Sequence, residues 1–596
     1  MGKTADSTPS EVNPVSFSSD VKPILDARCV ACHSCYDAPC QLKLTAHEGA
    51  IRGSSKEKVY EPTRLKEAPL SRLFFDASSV AQWRDKGFHS VVRARETSIL
   101  AGLLDLKAAH RLPSTKRLGN DLPLDDSESW QCVAGRDELL DFAEEYPLRG
   151  MPYALPGLRA WEASTIDRWV AEGARDDTDY SLSDAEISAI NRWEGFLNQD
   201  SLKGRLVARY VYEHLFLGSL YFDTPTTGRF FQIVRSATPP GAPIDVIATR
   251  RPYDDPGVER VYYRIRLNKE TVVAKTHMPY RLDTTHLVNW TDWFFNVDYA
   301  VTTLPSYEIE SASNPFKTFA QLPAKARYQF MLTEANFTVK GFIKGPVCKG
   351  QSAVNVINEH FWVFFVDPDY QSGAEMIDYL ATVKEQLDLP AEKEDTLRLL
   401  SSWDEYADKE KAFLKERRKF IAQHLNEGGY FDLEMVWDGD GKNPNAALTV
   451  YRHVDHASVN KGLIGQIPKT AWLIDYPLLE RIHYLLVAGY DVYGNISHQL
   501  LSRIYMDFLR MEGESLFLLL LPQQARKETR QYWYRDADDR IEEFFSLTDI
   551  DNIGSGVVGK DVEKPKLTLI SELEKHIGSA MYQKYRLGSR AEGRWT

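Results

Sequence analysis

The chain has 596 residues, 43% hydrophobic and 26% charged, with a net charge of −13. This is a globular rather than a disordered composition, and the length asks for roughly two to four compact units. The acidic balance excludes the electrostatics of a nucleic-acid binder. No apolar run reaches the roughly 18 residues that a membrane-spanning helix needs.

The first residues, MGKTADSTPSEVNPVSF, are polar and carry no apolar stretch of a secretory leader. A leader removed before this point is the expectation, so the cysteine chemistry decides the compartment. The next segment, FSSDVKPILDARCVACH, places Phe17, Val21, Ile24 and Leu25 on one helical face. Ser18 or Ser19 is the expected cap, with Pro23 near the helix start. This short amphipathic helix runs directly into Cys29-Val30-Ala31-Cys32-His33, a C-x-x-C-H.

That spacing is the attachment signature of c-type haem. Thiols three positions apart each form a thioether to one vinyl group of the porphyrin, and the adjacent His33 becomes the proximal iron ligand. A zinc ribbon needs a second, separate C-x-x-C, and this chain has none beyond the overlapping Cys32-x-x-Cys35. Covalent haem implies an oxidising, extracytoplasmic space. The remaining cysteines, Cys35, Cys40, Cys132 and Cys348, allow three pairings there, and spacing does not choose among them.

A long middle stretch, about 45–148, reads as an insertion over the haem edge. The string RGMPYALPGLRAWEASTIDRWVAEGARDD then reads as a ligand loop followed by a closing helix. Trp161, Thr165, Ile166, Trp169 and Val170 share a face of that helix, and Gly173 stops it. Met151, in the loop, is the candidate sixth iron ligand, ahead of His47, His89 and His110.

Beyond residue 178 the pattern changes. Ser183 and Glu186 form a capping box. VYYRIRL (Val261 to Leu267) alternates as a half-buried strand, and FWVFFV (Phe361 to Val366) reads as a buried central strand. ALTVYRHV (Ala447 to Val454) is another strand, and Pro477 opens a further helix. Three features invite a functional reading. The basic run Arg250, Arg251, Arg260, Arg264, Arg266, Lys269, Lys275 and Arg281 either holds phosphates or pairs with local acids. His453 and His456 lack a third metal ligand and read as structural. LFLLLL (Leu516 to Leu521) either enters a bilayer interface or fills a core.

The strings RCVACHSCYDAPCQLKL, RGMPYALPGL, RYVYEHLFLGSLYF and TAWLIDYPLLERIHYLLVAGYDVYGN together resemble the bacterial fatty acid cis/trans isomerases, which are periplasmic haem c proteins. The resemblance runs over nearly the whole chain. It implies an α+β protein: a helical cytochrome c-like domain at 15–178, then a large mixed α/β domain at 179–596 that forms the acyl-chain channel. It implies one covalent haem c on Cys29 and Cys32, with His33 and Met151 on the iron. The implied reaction turns cis double bonds of membrane phospholipid acyl chains to trans without moving the bond. It serves the cell's response to membrane stress and uses no external energy or reductant. Periplasmic, peripheral membrane contact follows from that substrate, with no nucleic acid and no obligate protein partner. The competing expectation is an electron-transfer c-type cytochrome fused to a partner-binding domain.

Overall fold

A computed structural model describes residues 13–61, 63–112, 122, 131–224, 228–346, 359–370, 374–390, 399–423, 430–453, 457–535, 545, 553–558 and 562–580. The chain has α+β character and forms two compact units. One takes Met1–Tyr60, Pro69–Leu182 and Lys269–His277; the other takes Glu61–Ala68, Ser183–Asn268 and Met278–Thr596.

The first unit is helical. Its opening turn, Phe17–Val21, is a single π turn that continues into the helix Lys22–Arg28. The cap is Ser16 rather than Ser18 or Ser19, because its hydroxyl accepts the N–H of Ser19 at 3.0 Å. Phe17, Val21, Ile24 and Leu25 are buried together with Val30, Leu44, Ile166, Trp169 and Val170. The last three belong to the closing helix Ala160–Ala171. The two helices meet where the rings of Phe17 and Trp169 lie 5.5 Å apart.

Trp161, expected on the inward face, is 58% exposed. The helix start turns Glu162 inward instead, where its carboxylate accepts the N–H of Arg159 at 2.7 Å. Between these ends, the helices Ile99–Ala109 and Arg136–Glu145 belong to the middle stretch.

Lys269–His277 joins this unit although it follows a strand of the other in sequence. Thr271 N–H donates to the carbonyl of Thr45 at 2.8 Å. The Thr271 hydroxyl donates to Asp26 at 2.7 Å, and the Thr45 hydroxyl donates to Glu270 at 2.7 Å. In the same way Glu61–Ala68 joins the second unit, where Ala68 N–H donates to Tyr493 O at 2.9 Å.

The second unit is built on two four-stranded mixed sheets. Strands β1 (Ser219–Phe222), β2 (Phe231–Ser236), β3 (Tyr262–Leu267) and β4 (Pro279–Leu282) run in the order β3-β2-β1-β4, with only the β1–β4 pair parallel. In the second sheet, β5 (His360–Phe365) lies between β7 (Ala447–Arg452) and β9 (Ala471–Ile474), and β8 (Ala457–Lys461) completes the order β8-β7-β5-β9. The short strands β6 (Tyr430–Phe431) and β10 (Gly554–Ser555) pair in parallel. The apolar run Phe361–Phe365 is central and buried, as its two-sided hydrophobicity predicts.

Leu516–Leu521 is also buried, so it is core rather than a membrane-interface segment. Among the described residues, no helix is long and apolar enough to cross a membrane.

Candidate functional site

The C-x-x-C-H segment lies at the end of the opening helix. Cys29 N–H donates to Leu25 O at 2.9 Å, and Cys32 and His33 N–H donate to Cys29 O at 3.1 and 3.0 Å. One tight turn therefore carries both thiols and the imidazole. Val30, between the cysteines, is buried in the apolar cluster and fixes that turn against it. Cys29 and Cys32 are free thiols. Burial pushes the Cys29 thiol up to about 12, an effect that Arg28 beside it partly opposes.

His33 is 8% exposed. Its Nδ1 lies 2.9 Å from the carbonyl oxygen of Leu42. A carbonyl only accepts, so Nδ1 carries the proton and the lone pair sits on Nε2. Burial lowers the imidazole's proton affinity, and the Leu42 carbonyl offsets this in part. A neutral imidazole oriented through Nδ1, with Nε2 available, is the form that binds a metal. Two unbridged thiols in one turn and a histidine so oriented fit a covalent haem.

Met151 N–H donates to Leu103 O at 3.0 Å, which ties the ligand loop to the helix Ile99–Ala109. Met151 and Cys29 are both partly buried against the same apolar cluster. On the loop's far side, Arg28 donates to the carbonyls of Pro156 at 3.0 Å and Gly157 at 2.8 Å. The residue before Cys29 thus holds the loop that carries Met151. Among the runners-up, His47 spends Nε2 on the carbonyl of Ala174 at 2.7 Å, His110 is exposed and His89 is half-buried.

A disulfide braces this region. Cys40 is bonded to Cys132 with Cα atoms 5.5 Å apart, which ties the segment after C-x-x-C-H to the middle stretch. Cys35 is also disulfide-bonded. Cys348 lies outside the described residues, as does His456.

The basic run of the second half resolves into pairs rather than a phosphate-binding face. Arg250 meets Glu67 and Asp491, each at 2.8 Å; Arg264 meets Glu194 at 2.9 Å; Lys269 meets Glu48 at 2.8 Å. Arg264, expected on the polar face of β3, is buried because Glu194 is buried against it. His453 Nε2 lies 2.9 Å from the hydroxyl of Ser458.

A second polar grouping lies in the second unit, and no motif signals it. His214 and His483 stack with ring centroids 4.4 Å apart and planes 9° from parallel. His214 Nε2 is 2.9 Å from Glu480, whose other oxygen accepts the Tyr210 hydroxyl at 2.8 Å. His483 Nε2 is 3.0 Å from the carbonyl of Glu213. Burial pushes His483 down to about 3, with the neighbouring His214 adding to the effect. Burial works against ionisation of Glu480, but His214, Arg327 and Tyr210 together hold its carboxyl below the usual range. Both imidazoles border a narrow cavity of about 10 Å3, walled by Leu215, Met278, Phe330 and Phe337 among others. The available signal was a glutamate and a histidine within the largely apolar string RYVYEHLFLGSLYF.

No curated protein and no solved structure matches the chain. A family model does match over residues 68–594; its description is "Fatty acid cis/trans isomerase (CTI)". The match takes in the Met151 loop and the second unit, and it begins after the C-x-x-C-H.

Proposed function

The chain belongs to the fatty acid cis/trans isomerase family, and from that premise we propose that its isomerisation of fatty acyl double bonds depends on a haem c held by Cys29, Cys32 and His33. The observation that carries this reading is His33: a buried imidazole whose Nδ1 proton is committed to Leu42, one position after a free cysteine pair in a single turn. When bound, haem supplies an iron centre that draws π density from the alkene and so lowers the barrier to rotation. Cys29 and Cys32 fix the group covalently, and His33 offers Nε2 to the metal. Met151, carried on a loop held by Leu103 and Arg28, would be a further ligand to the iron.

Cis-to-trans conversion involves no net redox change and, because the trans chain is the more stable isomer, needs no external energy; a transient loss of π-bond order lets the chain rotate without a general acid or base. The proposed substrate is the acyl chain of a membrane phospholipid, met from the periplasm by peripheral contact. The second unit is proposed to receive the acyl chain.

The test is to express the chain with a cytochrome c maturation system. Its intact mass and its isomerisation of vesicle phospholipid are then compared with those of a Cys29→Ala/Cys32→Ala variant. The expected result is one haem added to the wild type, none to the variant, and trans acyl chains only from the wild type. Equal trans product from a folded variant that carries no haem refutes the proposal.

A further inference from the structure

The loop that carries Met151 lies along one lysine. A Cβ built on Gly150 would come within 2.4 Å of the backbone nitrogen of Lys107, and one on Gly157 would lie 3.5 Å from its Cγ. Lys107 therefore lies beside both ends of the loop, its backbone at Gly150 and its stem at Gly157. Arg28 holds the same Gly157 from the other side, through its carbonyl at 2.8 Å. Lys107 is thus joined through a single residue, Gly157, to the position before Cys29.

Lys107 is 2% exposed. Among the described residues its ammonium has no hydrogen-bond partner, and no carboxylate faces it. A buried ammonium without a counter-ion is strongly disfavoured, and an apolar residue would serve packing better. Three donors on a flexible stem form a point charge suited to a carboxylate.

We infer that Lys107 anchors a carboxylate buried against the loop Gly150–Gly157. Two sources offer that chemistry: a propionate of the haem, or the head group of a free fatty acid. The propionate source rests on the haem reading above; the fatty-acid source does not.

The experiment uses the full chain, haem-loaded, as wild type, Lys107→Met and Lys107→Arg. Two quantities are read. One is the haem midpoint potential. The other is affinity for a free cis-monounsaturated fatty acid beside its methyl ester. Loss of the charge should move the one-electron equilibrium toward the ferric form by roughly tenfold, about 59 mV, with the visible spectrum unchanged and Lys107→Arg close to wild type.

A fall in potential with unchanged fatty-acid affinity assigns the propionate. A roughly tenfold loss of affinity for the acid but not the ester, with the potential unmoved, assigns the fatty acid. If neither moves, the inference is overturned. A changed visible spectrum makes Lys107 an iron ligand and also overturns it. If the wild type carries no covalent haem, the haem reading fails, and the fatty-acid arm alone decides the role of Lys107. Lys107→Gln gives the same readings if the methionine variant does not fold.

Discussion

Replacing His483 with glutamine should change how the stability of the second unit depends on pH. His483 is buried, stacked on His214, and fixed through Nε2 to the carbonyl of Glu213. Its proton affinity falls from the ordinary 6.5 to about 3, first because burial penalises the imidazolium and then because His214 lies beside it. In the unfolded chain it titrates near 6.5. As the pH drops below that value the unfolded chain takes up a proton that the folded chain refuses, so stability is lost from pH 6.5 down toward 3.

At about 1.36 kcal/mol per pH unit, the loss between pH 8 and pH 5 is about 2 kcal/mol from this residue. Glutamine can keep a donor for Glu213 O and cannot titrate. The assay is urea unfolding of wild type and His483→Gln at pH values from 8 to 5, compared by midpoint because a chain of two units need not unfold in one step. The wild type should lose ground to the variant as the pH falls. Parallel pH profiles, or a wild type that gains relative to the variant below pH 6.5, would refute the reasoning.

Further outcomes follow from the first unit. Trp169→Ala removes the largest side chain between the opening and closing helices and should cost about 3–5 kcal/mol, read as a lowered unfolding midpoint. Cys40→Ser opens a disulfide across a sequence separation of 92 and should cost about 2–5 kcal/mol; reducing the wild type, which opens the bond at Cys35 as well, should cost at least as much. Met151→Ala in the haem-loaded chain should alter the visible spectrum. A variant with unchanged spectrum and unchanged activity would remove Met151 from the iron.

The parts of the fold written in local periodicity were legible in the sequence. Phe17, Val21, Ile24 and Leu25 mark their helix by spacing, and Ser183 with Glu186 marks another by its capping box, whose Glu186 accepts the Ser183 N–H at 2.8 Å. The C-x-x-C-H was legible because its chemistry depends on adjacent positions. Contacts that depend on distant partners were not. Cys40 finds Cys132 only through the fold, since spacing leaves three pairings open. Lys269–His277 was read with the strands that precede it and is held instead by Thr45 and Asp26.

Buried charge was the hardest to read. Arg264 alternates like an exposed residue and is buried on Glu194. His214 comes from the helix Leu202–Leu215 and Glu480 and His483 from the distant helix Tyr476–His483, and only their meeting makes a polar site. Lys107 looks like an ordinary lysine near the end of a helix until the Met151 loop covers it.

The central claim is that isomerisation requires His33 at the haem and no electron donor. Gas chromatography of acyl chains tests it most directly, after vesicles of cis-monounsaturated phospholipid are incubated with haem-loaded wild type or His33→Ala, with and without a reductant. The account predicts trans product from the wild type in the absence of reductant and none from His33→Ala. Equal trans product from both proteins, or none from the wild type until a donor is added, would contradict it.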